Sequence, residues 1–247
     1  MKRPAISDVV MDLLFTALIW LLSSHGLLWV ALPVVVLATA YPLLSEGELT
    51  RDKLVAQSPR WLVGLSVALS IALLPKLVSQ LALAAGYWLW LIYVRAALHD
   101  DQPHSLPVSG IVQFMALSSI FLASALWHFS SAIVVAAVWI SSFVAADGLL
   151  RGRGERARPV LAAAWALIAT QCAWILWTWT INYLLFGGYL IIPQAAVVIT
   201  AMGYCFGGIY LAHLSSRLSR ARLIEYLMIG LLLIGIVLYG TKWSGVI

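Results

Sequence analysis

Charged residues are scarce in this chain. Lysine, arginine, aspartate and glutamate make up 10% of its 247 residues, whereas 63% of the residues are hydrophobic. A soluble domain has roughly one quarter charged residues and under one half apolar residues. A soluble core of this size could not bury so many apolar side chains. The composition therefore excludes a soluble globular protein and predicts an integral membrane protein.

Cysteine and recognisable catalytic motifs are also scarce. Cys172 and Cys205 lie within apolar runs and lack CxxC spacing, which argues against a thiol redox or metal motif and predicts buried free thiols. The sequence has no serine nucleophile elbow, no phosphate-binding glycine loop, no haem-type histidine pair and no lysine in the middle of an apolar run. No cofactor is predicted, and a non-enzymatic role is favoured over an enzymatic one.

Ionisable side chains are missing from the centres of the apolar runs. Ion-coupled carriers and proton pumps usually place one there, because a charge in mid-membrane is expensive and is kept for its function. Asp12 and Asp147 come nearest, each about one turn from the end of a run, where pairing with an arginine explains them. Uncharged polar residues inside the runs are more typical of hydrogen bonds between helices than of a permeation path. They are Gln80, Gln113, Gln171, Asn182 and Gln194.

Apolar runs fill most of the chain, separated by short polar gaps. Runs of about 15 to 20 residues are roughly 23 to 30 Å long as helices, close to the hydrocarbon core of a bilayer. Four breaks are very short, at 23–26, 74–76, 128–131 and 185–189, and each predicts the tip of a helical hairpin. The nine runs cover about 9–23, 26–44, 61–75, 77–98, 109–127, 130–149, 159–184, 187–212 and 223–242.

This pattern predicts an all-α, polytopic helical bundle of about nine transmembrane helices, arranged as four hairpins plus one further helix. Residues 1–247 are expected to form a single transmembrane domain without a soluble domain. Runs of about 15 residues, such as those at 9–23 and 61–75, are short relative to the bilayer, and the sequence leaves open whether the first four runs all cross it.

The basic residues are divided unevenly between the two sides of this threading. Lys76 and Lys242 lie on one side, and the other 13 of the 15 lysines and arginines lie on the side of the N-terminus. Lysine and arginine in short loops stay in the cytoplasm. We therefore expect a bacterial-type inner-membrane protein with a cytoplasmic N-terminus and a C-terminus on the outer face. The segment LLRGRGERARPV at 149–160 is then a cytoplasmic connection.

The formal net charge of +5 does not by itself indicate a nucleic-acid partner. Such a partner requires basic residues on one exposed face with polar neighbours, whereas here they lie in short gaps between apolar runs. Membrane lipids are the expected partners.

The segment HDDQPH offers a weak metal site. His99, Asp101 and His104 are residue types that bind divalent metals, and they lie within six positions of one another in a predicted cytoplasmic loop. No second cluster of ligands completes the site elsewhere in the sequence. A solvated loop interrupted by two prolines is the simpler interpretation.

Aromatic residues crowd the end of the seventh apolar run, in WILWTWTINYLLFGGY at 174–189. Interfacial anchoring explains such belts, because indole and phenol rings have an apolar body and a polar edge. The density of tryptophan also fits a groove wall for a lipid or a sugar. Trp174, Trp177, Asn182 and Tyr183 are therefore the candidate binding residues.

Gly203 and Gly207 form one GxxxG motif in GYCFGG at 203–208. Two glycines at this spacing let a second helix approach closely. The partner helix belongs either to the same chain or to another subunit, as in a homo-oligomer or a complex with another membrane protein.

Three functions fit these observations. The first is a non-enzymatic transport or assembly component that handles an amphipathic or lipid-linked substrate. The second is a membrane-embedded transferase or hydrolase that uses the HDDQPH loop. The third is a structural subunit of a larger membrane complex.

Overall fold

Nine α-helices account for most of the part of the chain that the computed structural model describes, namely residues 6–45, 57–97, 105–151, 153, 156–178, 182–185, 190–216 and 219–239. The helices are α1 (Ile6–Ser24), α2 (Leu28–Ser45), α3 (Ser58–Leu73), α4 (Leu77–Ala97), α5 (Leu106–Trp127), α6 (Ser131–Leu150), α7 (Arg158–Trp177), α8 (Gln194–Leu214) and α9 (Arg220–Tyr239). Each corresponds to one predicted apolar run. The all-helical prediction is confirmed apart from one short β-hairpin.

Four of these helices, α5 to α8, are long and apolar enough to cross a membrane. Among the described residues, the apolar parts of α2, α3, α4 and α9 are shorter, so the prediction of nine spans is supported for four helices only. In α3 the reason is the length of the helix itself. The 16 residues of α3 extend only about 24 Å, less than the hydrocarbon thickness of about 30 Å.

Three of the predicted hairpin tips are confirmed. The chain reverses between α1 and α2 at Gly26, whose φ of 75° favours glycine. It reverses again in the three residues between α3 and α4. Between α5 and α6 it turns at His128, which adopts a left-handed conformation with a φ of 51°.

The fourth predicted tip is wrong, because the chain forms a β-hairpin there. Helix α7 ends at Trp177, and strands β1 (Asn182–Leu185) and β2 (Leu190–Pro193) pair antiparallel before α8 begins. The segment contains β-branched and aromatic residues, which favour strands. Pro193 then occupies the N-cap of α8 in an extended conformation, and a proline there cannot continue a helix from the preceding residues.

Helix α5 lies at the centre of the bundle. It contacts α3, α6, α8 and β2, and buried residues recur along most of its length. One hydrophobic cluster joins α1 to α4 with α5 and α6, and a second joins α5 to α8. The central helix therefore connects the two parts of the bundle.

Small residues line the closest helix contacts. Helix α7 buries a stripe of four alanines that recurs every three or four residues, and its most extensive neighbour is α6. Alanine allows two backbones to approach closely, and this is how membrane helices gain van der Waals contact without a hydrophobic driving force. The stripe consists of Ala162, Ala166, Ala169 and Ala173.

Candidate functional site

A cavity of about 140 Å³ lies between α5, α6, α7 and α8. Most of its lining is aliphatic or aromatic, and its polar groups come from Ser109, Gln113, Tyr204 and Tyr210. The cavity is bounded by the start of α5, the end of α6, the start of α7 and the second half of α8. We call it the α5–α8 cavity.

Two buried hydrogen bonds hold α5 to α6 beside this cavity. Ser109 Oγ donates to the carbonyl oxygen of Ala145 at 2.7 Å, and Gln113 Nε2 donates to Ser142 Oγ at 3.3 Å. Inside a membrane an unpaired polar group is costly, so these bonds fix the register of the two helices. The prediction that Gln113 makes a hydrogen bond between helices is confirmed.

The GxxxG motif packs within the chain. A Cβ atom at Gly203 would lie 2.5 Å from Gln113 Oε1 and 2.9 Å from Cζ2 of Trp165. At Gly207 it would lie 2.9 Å from a methyl carbon of Leu106. All three distances are shorter than real Cβ contacts, so a side chain at either glycine would displace its neighbours where α8 approaches α5 and α7. The contact with another subunit through Gly203 and Gly207 stays a prediction.

An ion-pair cluster lies next to the cavity at the connection between α6 and α7. The carboxylate of Asp147 pairs with Arg151 at 3.0 Å and with Arg158 at 2.9 Å. Arg153 donates from Nε to the carbonyl oxygen of Leu149 at 2.8 Å, near the end of α6. The prediction that Asp147 pairs with a nearby arginine is confirmed. We call this side of the bundle the arginine end.

The four residues of the predicted aromatic site lie in different environments: an exposed helix surface, a contact with α5, and strand β1. Trp174 is 58% exposed on the outside of α7, whereas Trp177 is half-buried and donates from Nε1 to Ser124 Oγ on α5 at 2.9 Å. Asn182 and Tyr183 belong to β1, paired with Pro193 and Ile192, and not to the seventh helix as predicted. The four residues therefore do not share one helix face, and their binding role stays a prediction.

The candidate metal ligands His99, Asp101 and His104 lie outside the described residues. Within the described ranges, no group of three or more histidine, cysteine, aspartate or glutamate side chains is placed to hold a metal ion. The two cysteines are free thiols: Cys205 is buried, and Cys172 is half-buried.

A second and larger concavity lies at the opposite end of the bundle from the arginines, which we call the hairpin end. This α2–α6 groove has a volume of about 780 Å³ and is lined by α2, α3, α5 and α6. Trp29, Trp127 and Phe129 border it near the turns of the chain, and the rings of Trp127 and Phe129 meet edge to face at 5.7 Å. Its few polar groups include Ser66 and Ser119, whose hydroxyls both donate to carbonyl oxygens of their own helices.

Sequence reasoning did not identify this groove. Its lining comes from four helices that are distant in sequence, and each contributes ordinary apolar residues. The only sequence signal is the presence of small residues such as Ala116 and Ser119 on one face of α5, and small residues are common in any membrane helix.

No known protein family, curated protein or solved structure matches this chain.

Proposed function

We propose that the chain is a multi-pass inner-membrane protein in which all nine helices cross the bilayer, with the N-terminus in the cytoplasm and the C-terminus outside. The division of lysine and arginine, 13 against 2, supports this orientation. The tight turns near Gly26, Lys76 and His128 support antiparallel pairs of helices. Short helices such as α3 cross a bilayer if it thins locally around them.

We propose further that the protein is a non-enzymatic transport or assembly component that handles an amphipathic or lipid-linked substrate. The α2–α6 groove carries this proposal. Its volume of about 780 Å³ falls in the range of ligand pockets, about 300 to 1,000 Å³. Its lining offers hydrocarbon contact along its length and aromatic rings at one end, which suits a substrate with a long apolar part.

The predicted aromatic residues lie at the same end of the bundle as the groove's aromatic border. Trp177 is hydrogen-bonded to Ser124, and Ser124 precedes Trp127 of the groove by about one turn of α5. A substrate whose apolar chain occupies the groove would thus present its polar part near the interface at which Trp174, Trp177, Asn182 and Tyr183 are predicted to bind.

The two rival functions differ in what they require. A transferase or hydrolase acting through HDDQPH requires His99, Asp101 or His104 for activity, whereas a structural subunit requires a stable protein partner and no substrate. We favour the substrate-handling role because a groove of this size with its hydroxyls already bonded is suited to an apolar chain and not to polar chemistry.

Photocrosslinking tests the proposal. The full chain is reconstituted in nanodiscs with a phospholipid that carries a diazirine in its acyl chain, and the labelled residues are mapped by mass spectrometry. We expect labelling of Leu65 and Ile120 in the groove to exceed that of Leu231, which is exposed on α9. Equal labelling at all three positions would contradict the proposal.

Two alanines on α6 provide matched variants. Ala137 lines the groove, while its neighbour Ala136 is exposed on the outside of the helix. Ala137→Trp should fill the groove and reduce the labelling of Leu65 and Ile120 severalfold. Ala136→Trp should leave the labelling of both residues unchanged. Normal labelling in Ala137→Trp would show that the groove is not the site, and co-purification of a stoichiometric protein partner would favour the structural subunit instead.

A further inference from the structure

The α5–α8 cavity is bordered by a polar atom to which no described residue donates a hydrogen bond. Gln113 is 4% exposed, and its Nε2 is bonded to Ser142. Its Oε1 lies over Gly203, at 2.5 Å from the position that a Cβ atom would occupy there. Within the described part of the chain this oxygen accepts no hydrogen bond. A buried acceptor in such a position costs free energy unless something donates to it.

The surroundings of this oxygen are aromatic. Trp165 Cζ2 lies 2.9 Å from the same Cβ position over Gly203, so the indole ring and the amide oxygen border the same space. The rings of Trp165 and Phe206 are 6.0 Å apart, and Tyr204 also lines the cavity. Aromatic rings prefer offset or edge contacts with other rings at these separations.

The volume of the cavity limits the size of its occupant. About 140 Å³ is close to the roughly 150 Å³ of an engineered apolar cavity that binds benzene. A single water molecule would leave most of this space empty, and it needs two to four polar partners to be held. Of the three residues with hydroxyls that line the cavity, Ser109, Tyr204 and Tyr210, Ser109 already donates to the carbonyl oxygen of Ala145.

We propose that the α5–α8 cavity binds a small, neutral aromatic molecule with one hydrogen-bond donor, of the phenol or indole class. Its O–H or N–H donates to Gln113 Oε1, and its ring lies against Trp165. This site is separate from the α2–α6 groove, and the inference does not depend on the function proposed for that groove. Gly203 contributes to the site by lacking a side chain, because any side chain at that position would occupy the space next to Gln113 Oε1.

Fluorine NMR separates the contribution of the ligand's hydrogen-bond donor to binding from that of its aromatic ring. The detergent-purified full chain is titrated with 4-fluorophenol and with 4-fluoroanisole, in which a methyl group replaces the donated proton, and the signal from empty micelles is subtracted. We expect 4-fluorophenol to bind about fivefold more tightly, the factor that corresponds to one ordinary hydrogen bond. Equal affinity of the unmodified chain for the two probes would overturn the proposal. So would the absence of binding beyond partitioning into micelles.

Two glutamines provide the matched substitutions. Gln113→Leu removes the acceptor and should abolish the preference for 4-fluorophenol, whereas Gln171→Leu changes a glutamine that is exposed on α7 and should preserve it. A preference that survives in Gln113→Leu would show that the donor bonds elsewhere.

A glycine variant covers the case in which Gln113→Leu does not purify as a single species. Gly203→Ala places a methyl group against Gln113 Oε1 and Trp165, so it should weaken binding of both probes. Gly86→Ala adds a methyl group that meets nothing within 4 Å, and it should bind both probes as the unmodified chain does. Unchanged binding in Gly203→Ala would contradict the proposed position of the ligand.

Discussion

Nε of Arg158 lies 2.9 Å from the carboxylate of Asp147, across the connection that joins α6 to α7. Arg151, the C-cap residue of α6 one turn after Asp147, holds the other carboxylate oxygen at 3.0 Å. The arginine-rich segment, which the sequence predicts to be an orientation signal, therefore also links the ends of two helices. The two roles are compatible, because both need positive charge at one end of the bundle.

Removing the Asp147 carboxylate should destabilise the bundle. Asp147→Asn leaves Arg151 and Arg158 without a shared counter-charge. The side chain of Asp147 is 11% exposed and that of Arg158 is 37% exposed, so we expect a loss of about 1 to 3 kcal/mol, less than for a fully buried pair. Thermal unfolding followed by circular dichroism measures it.

Arg156→Gln is the control for this prediction. Arg156 is exposed in the same connection and makes no ion pair with any described residue. Its replacement should leave the melting temperature unchanged. An equal decrease for Arg156→Gln and Asp147→Asn would mean that general charge, and not the specific pair, stabilises the connection.

Two glycines in helices should respond in opposite ways to alanine. At Gly64 of α3 a Cβ atom would lie 2.6 Å from a methyl carbon of Val35 and 2.7 Å from Tyr87 Oη, whereas at Gly86 of α4 it would meet nothing within 4 Å. Gly64→Ala should cost about 1 to 3 kcal/mol through overpacking. Gly86→Ala should be neutral or stabilising by up to about 1 kcal/mol, because alanine favours helix. A comparison of melting temperatures decides, and equal effects would refute the close approach of α2, α3 and α4 at Gly64.

The hydrogen bond between Trp177 and Ser124 should appear as an energetic coupling. In a double-mutant cycle with Trp177→Phe and Ser124→Ala, we expect an interaction of about 0.6 to 1.7 kcal/mol, the range for such bonds inside membranes. Trp174→Phe should show no coupling with Ser124, since Trp174 faces outward. Absence of coupling in the first cycle would contradict the contact at 2.9 Å.

Reporter fusions test the proposed threading. A reporter fused after Ile247 should report the outer side, and one inserted at Gly154 should report the cytoplasm. If only α5 to α8 crossed the membrane, the two positions would lie on the same side, so that result would exclude nine spans. Replacing the four arginines at 151, 153, 156 and 158 with glutamine should raise the fraction of misthreaded chains.

The predicted aromatic site can be tested separately from the groove. Trp177→Ala and Asn182→Ala should each weaken binding of an amphipathic substrate by about 1 kcal/mol or more, the cost of losing a stacked ring or a buried hydrogen bond. Alanine at His99 or Asp101 should then have little effect. Normal binding by both aromatic-site variants, in protein that inserts correctly, would count against the leading function.

The number of helices and the positions of most turns follow from the sequence alone. Apolar runs interrupted by polar residues, glycine or proline can satisfy their backbone hydrogen bonds inside a bilayer only as helices, so α1 to α9 were predictable. The segment after Trp177 was not, because a run of apolar and aromatic residues is compatible with both a helix and a strand. Pro193 was the available signal that the eighth helix starts later than its apolar run.

Only the tertiary structure decided which helix faces meet. Gln113 and Gly203 are 90 positions apart, as are many pairs that line the cavity and the groove. In a soluble protein the apolar face of a helix identifies its buried side. In a membrane protein the lipid-facing and protein-facing sides are both apolar, so hydropathy carries no such information. Small residues and isolated polar residues suggest a contact, but their partners are determined by how the helices pack together.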